Sequence, residues 1–167
     1  EKLAENGNPN QFKLPKPILN KGGCNLSFAG LKTAVLRIAK NIRSNEEKFN
    51  LASSFQKTIE EILHEKTKIA FKEFKKKNKS NKNIFVIAGG VAANKGIRNI
   101  LNKLSKEHNF ETIFPEISLC SDNAAMIAMV GLEKYKLGLF DGLDFKVNPR
   151  WALDEKAKFL KGAGVKL

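Results

Sequence analysis

Residues 84–94 read IFVIAGGVAAN, an apolar run that ends in two glycines and is followed by an asparagine. The run from Ile84 to Ala88 is typical of a short strand that is buried on both faces of a sheet. Gly89 and Gly90 end this strand, and the apolar spacing beyond them predicts a helix. The inner face of that helix comprises Ala93, Ile97, Ile100, Leu101 and Leu104. The stretch therefore predicts a strand, a glycine turn and an amphipathic helix in succession.

The same order of elements recurs downstream. Residues 112–114 (TIF) predict a second strand, which Pro115 stops. A further helix is expected from about Asp122 to Leu137, with Gly138 as its C-terminal stop. Strands that alternate with helices are typical of parallel sheets. We therefore predict an α/β fold with helices packed on a small, mainly parallel sheet.

Upstream, the pattern predicts a short strand and two helices. Residues 26–28 (LSF) are a strand candidate, and apolar spacing predicts a helix from Leu31 to Ile42. Residues 44–47 (SNEE) have the Ser-x-x-Glu spacing of a capping box, which opens a long helix whose apolar face extends to Phe74. A polar loop over 75–82 is expected to follow.

The charge balance is strongly basic. Thirty Lys and Arg against 17 Asp and Glu give a formal net charge of +13 in 167 residues. Such a surface favours polyanions such as RNA, but a solvated lysine-rich surface explains it at least as well. The run from Lys66 to Lys82 contains eight lysines, and Phe71 and Phe74 within it fit the buried stripe of a helix. The charge therefore permits an RNA partner without establishing one.

Cysteine and histidine content argues against several kinds of site. Cys24 and Cys120 are too few for a disulfide framework or a four-ligand zinc site, and they favour a reducing, cytoplasmic compartment. The apolar runs are too short to span a membrane. His64 and His108 have neither the spacing of a helical metal pair nor a nucleophile partner, so we expect surface residues. We therefore predict no catalytic residue within this chain.

The glycine turn is the first candidate binding site. Ligands of α/β sheets collect at the carboxyl ends of the strands, where Gly89 and Gly90 would let a nucleotide approach the backbone. Asn94, in the first turn of the predicted helix, offers both a donor and an acceptor. The alternative is that the paired glycines simply make a tight turn, and the local pattern alone favours this alternative.

Two further turns carry weaker signals. Asp122 follows a buried-looking segment and either caps the next helix or supplies one ligand to a metal, and capping is the better interpretation in isolation. Residues 27–33 (SFAGLKT) place a glycine, a lysine and a threonine where a phosphate could bind, although an ordinary turn is the more frequent explanation.

Taken together, these motifs resemble one known family. LSFAGLKTAV (26–35), VIAGGVAANKGIR (86–98) and CSDNAAMIAMVGLEKY (120–135), followed by VNPRW (147–151), occur in the order and spacing of the tRNA threonylcarbamoyladenosine synthases. The resemblance is to the C-terminal half of these TsaD-type transferases. It implies the C-terminal lobe of an actin-like, heat-shock-chaperone-like ATPase-type fold over 23–153, with a connecting segment over 1–22 and a tail over 154–167.

The resemblance also implies a reaction and a set of site residues. Members of the family transfer a threonylcarbamoyl group from threonylcarbamoyl-AMP to the exocyclic amine of the adenosine beside the anticodon of tRNA. Asn94 would contact the adenylate, Gly89 and Gly90 would line its adenosine side, and Asp122 would ligate a divalent metal, expected to be iron. Partner proteins would be a paralogue and an ATPase of the modification complex, and no membrane is implied.

Several features depart from the family pattern. The two further histidine ligands of the metal, four residues apart on a helix of the other half, have no match here. The chain begins with Glu1 rather than Met, which indicates a segment of a longer protein. We therefore expect half of an active site, inactive alone. The alternatives are a small-molecule kinase of the same two-lobed superfamily and a non-catalytic basic module that binds RNA or a partner.

Overall fold

The computed structural model describes residues 1–79, 82–147 and 149. The first helix, α1, is Ala29–Ala39, and the long helix α2 is Asn45–Lys77. The predicted capping box is confirmed, because Ser44 Oγ accepts from Glu47 N at 3.1 Å and Glu47 Oε2 accepts from Ser44 N at 3.3 Å. Helix α2 extends beyond its predicted end through three lysines. Their positive charges stabilise the helix because they lie at the negative end of its dipole.

The sheet has two described strands, β1 (Ile84–Val86) and β2 (Glu111–Ile113). They pair in parallel, with Phe85 opposite Thr112, and helix α3 (Lys95–Glu107) makes the crossover between them. Parallel strands joined through a helix are the defining unit of α/β architecture. The predicted fold class, helices packed on a small parallel sheet, is therefore confirmed.

One core cluster joins the sheet to helices α2 and α3. Phe71 of α2 stacks on Phe110 with ring centroids 3.9 Å apart and meets Phe85 of β1 edge-on at 5.0 Å. Helix α3 contributes its predicted inner positions Ile97, Leu101 and Leu104, all buried. This cluster fixes the carboxyl end of β1 relative to the start of α3, where the glycine turn lies.

The prediction that β1 is buried on both faces is wrong. Ile84 and Val86 are 46% and 59% exposed, whereas Phe85 between them packs against the core. Successive side chains of a strand point to opposite faces. The core made with α2 and α3 lies on the Phe85 side, so the alternate residues remain accessible in the described structure.

The predicted strand over 26–28 is also wrong. These residues have no regular structure, and α1 begins at Ala29 and includes Gly30, the residue expected to stop the strand. Leu31 of α1 packs with Leu14, Leu51 and Ile62 in a second buried cluster. Three residues are too few to specify a strand when the next turn of chain can place its apolar side chains against α2.

The amino-terminal segment packs along α2. The backbone N–H of Asn8 donates to Asn50 Oδ1 at 2.7 Å, and that of Phe12 donates to Ser54 Oγ at 3.1 Å. Leu14 is buried in the second cluster. Residues 1–22, interpreted from composition as a connecting segment, are thus attached to the long helix through specific polar and apolar contacts.

A second compact unit begins at Asn123. Its helix α4 is Ala124–Lys136, capped by Asn123 Oδ1, which accepts from Met126 N at 3.1 Å. This confirms the predicted helix before Gly138. Of the VNPRW motif, residues 148, 150 and 151 lie outside the described residues, as does the tail over 154–167. No described helix combines the length and hydrophobicity that a membrane span requires.

Candidate functional site

The glycine turn leaves the sheet in a conformation that only glycine adopts readily. Gly89 has φ 83° and ψ 176°, and a methyl group built on it would meet nothing within 4 Å. Gly90 opens a 3-10 turn that ends at Ala93. A backbone of this kind, with open space on the side of the missing Cβ, lets a flat ligand lie against the chain.

Asn94 is the N-cap of α3. Its Oδ1 accepts from Ile97 N at 3.0 Å, and its Nδ2 donates to Gln56 Oε1 on α2 at 3.3 Å. The sequence interpretation placed Asn94 within the first helical turn and missed this capping role. The signal was present, because Asn is among the preferred N-cap residues and stands three positions before the first buried residue of the helix.

An open cavity of about 580 Å³ adjoins this cap. Its walls include Phe55 and Ile59 of α2 together with Asn94 and Ile97. Beside it, the backbone N–H of Lys95 donates to the carboxylate of Glu1 at 2.8 Å. The start of α3 therefore donates to a negatively charged oxygen, as expected where helix N–H groups and the helix dipole point at an anion.

The turn before Asp122 lies against the glycine turn. A methyl group on Gly90 would be 3.8 Å from the carbonyl oxygen of Cys120, which is ordinary van der Waals contact. Cys120 itself is 2% exposed. Two motifs separated by about thirty residues in the sequence, GGVAAN and CSDN, are thus neighbours in space, as the parallel-strand prediction requires.

Asp122 is exposed, and the prediction that it caps the next helix is wrong because the cap is Asn123. The structure gives its carboxylate no hydrogen bond or ion pair among the described residues. Within ranges 1–79 and 82–147, no three His, Cys, Asp or Glu side chains cluster as a metal site would require. Among the described residues, the accessible carboxylate of Asp122 therefore has no two further ligating side chains grouped with it.

The third candidate turn and the histidines lie elsewhere. Residues 27–33 span the entry to α1 and its first turn, beside a separate apolar cavity of about 330 Å³ that Phe28 and Lys32 line. His64 Nδ1 lies 3.0 Å from Glu65 Oε1 on α2, and His108 ends α3 with its ring 5.9 Å from that of Phe71. These positions give neither histidine a place at the glycine turn.

Comparison with known proteins identifies the family. The family model TsaD, tRNA N6-adenosine threonylcarbamoyltransferase, matches residues 1–129. A protein named tRNA N6-adenosine threonylcarbamoyltransferase from Pelagibacter ubique (strain HTCC1062) is 67% identical over 167 residues, which is all of this chain and 47% of that protein. Proteins of the same name from Rickettsia massiliae and Rickettsia bellii are 48% and 49% identical over 158 residues, or 93% of this chain and 46% of theirs.

The chain thus spans about half the length of the curated relatives it matches. The family match covers both the glycine turn and the Cys120–Asp122 turn, which the fold places close to each other. By this match and by these relatives, the chain belongs to the tRNA N6-adenosine threonylcarbamoyltransferase family.

Proposed function

We propose that this chain forms the C-terminal lobe of a transferase that makes threonylcarbamoyladenosine in tRNA. The group transferred comes from threonylcarbamoyl-AMP, and the acceptor is the exocyclic amine of the adenosine beside the anticodon. The observation that carries the proposal is the proximity of the GGVAAN and CSDN turns: a methyl group on Gly90 would be 3.8 Å from Cys120 O, and Arg98 donates to both Ala92 O and Cys120 Sγ. Family membership supports the same reaction.

The adenylate would occupy the open side of the glycine turn. Gly89 and Gly90 would lie against its adenosine, because neither position carries a Cβ that would hold a flat base away from the backbone. Asn94 would contact the adenylate through the second N–H and the second lone pair of its carboxamide. The first backbone N–H of α3, which donates to the Glu1 carboxylate, suits an acidic group of the ligand.

Acyl transfer of this kind needs no nucleophile from the protein. The amine nitrogen of the tRNA adenosine attacks the carbonyl carbon of the threonylcarbamoyl group, and a C–N bond forms. The C–O bond to AMP breaks, AMP leaves with the bonding electron pair, and the amine loses its proton. The chain must hold the reactants in the right relative position, and two neighbouring turns are suited to do so.

We propose that Asp122 is one ligand of a divalent metal, expected to be iron. Its accessible carboxylate is the kind of hard oxygen donor that such an ion takes, and the remaining ligands would come from the amino-terminal half of the complete protein. When bound, such an ion supplies positive charge beside a carbonyl or phosphate oxygen. Metal analysis of the complete protein should show less bound metal in Asp122→Asn, whereas Glu116→Gln in the same turn should retain it.

The function is tested with the complete protein, its partner proteins, tRNA and threonylcarbamoyl-AMP. We expect threonylcarbamoyladenosine in the digested tRNA, detected by mass spectrometry. ATP-dependent phosphorylation of a small molecule without this nucleoside would instead establish the kinase alternative. Salt-sensitive tRNA binding without adenylate binding would favour a basic module that only binds RNA. A paralogue and an ATPase as partners, and a cytoplasmic location, belong to the same proposal.

A further inference from the structure

Arg98 connects the two turns of the candidate site. It extends from the first turn of α3 and donates through Nε to the carbonyl oxygen of Ala92, in the glycine turn. Its Nη2 donates to the carbonyl oxygen of Pro115 at 3.0 Å and to Cys120 Sγ at 3.3 Å. One side chain therefore bonds to both of the segments that the proposed reaction would use.

The surroundings of Arg98 fix its guanidinium in place. The guanidinium carbon lies 4.8 Å from the centre of the Phe114 ring, within the range of a cation–π contact. Cys120 Sγ in turn donates to the carbonyl oxygen of Glu116 at 3.4 Å. A planar guanidinium with several donors can serve acceptors in different directions at once, which the single ammonium of a lysine cannot do.

The two segments that Arg98 joins differ in what else holds them in place. The glycine turn is also held by the Asn94 cap and by burial of Ala92 and Ile97. Apart from those that Arg98 donates, the hydrogen bonds of the described segment from Pro115 to Cys120 join residues of that segment to one another. Removing Arg98 should therefore displace the segment that leads to Asp122 more than it displaces the glycine turn.

We infer that Arg98 is a positioning residue for the transfer reaction, an inference that rests on the proposed function. It sets the distance between the turn that would hold the adenylate and the carboxylate of Asp122. Because the adenylate turn keeps its own supports, loss of Arg98 should lower kcat while leaving adenylate affinity nearly unchanged. A displacement of about 1 Å at a reacting centre is enough to reduce a rate roughly 100-fold.

The test compares variants of the complete protein. In Arg98→Gln we expect kcat to fall roughly 100-fold, and the Kd of a non-hydrolysable adenylate analogue to change by less than about threefold. Arg98→Lys, the more conservative variant, should fold and keep the positive charge but recover little activity. Arg43→Gln is the matched control, because Arg43 also donates to backbone carbonyls but lies on an exposed turn away from the site.

Amide hydrogen exchange provides a readout that does not depend on activity. Exchange over 115–120 should become faster in both Arg98 variants, while exchange in the middle of α3 stays slow. A variant in which kcat, adenylate affinity and melting temperature all fall together would overturn the inference, since that result indicates a general loss of structure. Wild-type kcat in Arg98→Lys would overturn it as well.

Failure of the proposed function would look different. A wild-type complete protein that makes no threonylcarbamoyladenosine would overturn both the function and the role of Arg98 in it. Faster exchange over 115–120 in the variants would in that case still locate the connection between the two turns. Unchanged exchange in variants of an active enzyme would overturn the inference alone.

Discussion

Asn94 has structural bonds and capacity left for a ligand. Its Oδ1 accepts from Ile97 N, and its Nδ2 donates to Gln56. A carboxamide has two N–H donors and two acceptor lone pairs, so these bonds use half of what it offers. The same side chain can therefore fix the start of α3 and contact the adenylate, and substitutions can separate the two roles.

Asn94→Ala and Asn94→Asp should differ in stability and agree in binding. Alanine removes the N-cap acceptor and should cost about 1 kcal/mol of unfolding free energy, whereas aspartate keeps an oxygen on Ile97 N. Both remove the amide donor, so adenylate affinity should fall about tenfold in each. Denaturant unfolding and calorimetric titration of the complete protein measure the two effects. Wild-type affinity in both variants would mean that Asn94 acts only as a cap.

The two glycines of the turn should also respond differently to alanine. Gly89 has φ 83° and ψ 176°, so Gly89→Ala should cost about 2 kcal/mol through backbone strain. Gly90→Ala places its methyl 3.8 Å from Cys120 O, an ordinary contact, and should leave stability nearly unchanged. In the proposed site both methyl groups would narrow the space for adenosine, so both variants should bind the adenylate more weakly. Wild-type affinity in Gly90→Ala would show that the adenosine does not bind at this turn.

At the scale of elements, the capping box of α2 makes helix stability depend on pH. Backbone N–H groups of Arg43 and Ser44 donate to the Glu47 carboxylate and hold its pKa below the ordinary value of 4.5. A lowered folded-state pKa means that this contribution is complete above pH 4.5 and is lost as pH falls through the folded-state pKa.

A peptide of residues 41–79 tests this dependence. Its helicity by circular dichroism should fall between about pH 7 and about pH 3, and part of that fall should be absent in Glu47→Gln. The variant should be less helical than wild type at the higher pH, and this difference should shrink as the pH falls through the folded-state pKa of Glu47. Parallel curves at every pH would show that the carboxylate contributes nothing through its charge. Both peptides contain the same other glutamates, including Glu73, whose pKa is lowered by Lys76. Their titration therefore contributes equally to both curves and drops out of the difference.

The elements that the sequence predicts well are those with a local cause. The Ser44–Glu47 box and the inner face of α3 follow from spacing within a few residues, and both are confirmed. The strand over 26–28 and the two-sided burial of β1 depended on which other elements would cover them. Packing against distant elements leaves no pattern in the local sequence, so these two predictions failed while the helix predictions were confirmed.

The candidate site shows the same limit. The carboxyl ends of parallel strands lie at one edge of a sheet, which agrees with the short distance from Gly90 to the Cys120–Asp122 turn. Which residue caps α4 was misassigned by one position, Asp122 for Asn123, because both types make good caps. The bonds from Arg98 to Pro115 and Cys120 cross 17 and 22 residues, a distance at which spacing carries no information.

At the scale of the whole molecule, some of the basic side chains stabilise the fold through hydrogen bonds to backbone carbonyl oxygens. Lys66 is buried, and its Nζ donates to the carbonyl oxygens of Lys21 and Gly23 at 2.7 and 3.2 Å. Lys75 donates to the carbonyl oxygen of His108 and lies 5.6 Å from the centre of the Phe110 ring. Two lysines of the 66–82 run thus attach α2 to neighbouring segments, and Lys76 of the same run forms an ion pair with Glu73 at 2.9 Å.

The proposed division of the site between this chain and the rest of a complete protein predicts that these 167 residues are inactive alone. The described residues contain no cluster of three metal-ligating side chains, and Asp122 would depend on ligands from the other half. We expect no threonylcarbamoyladenosine from the isolated chain, and product when the amino-terminal half is supplied. Mass spectrometry of digested tRNA measures the product, with circular dichroism as the control for folding. Turnover by the folded, isolated chain would show that these residues hold a complete site.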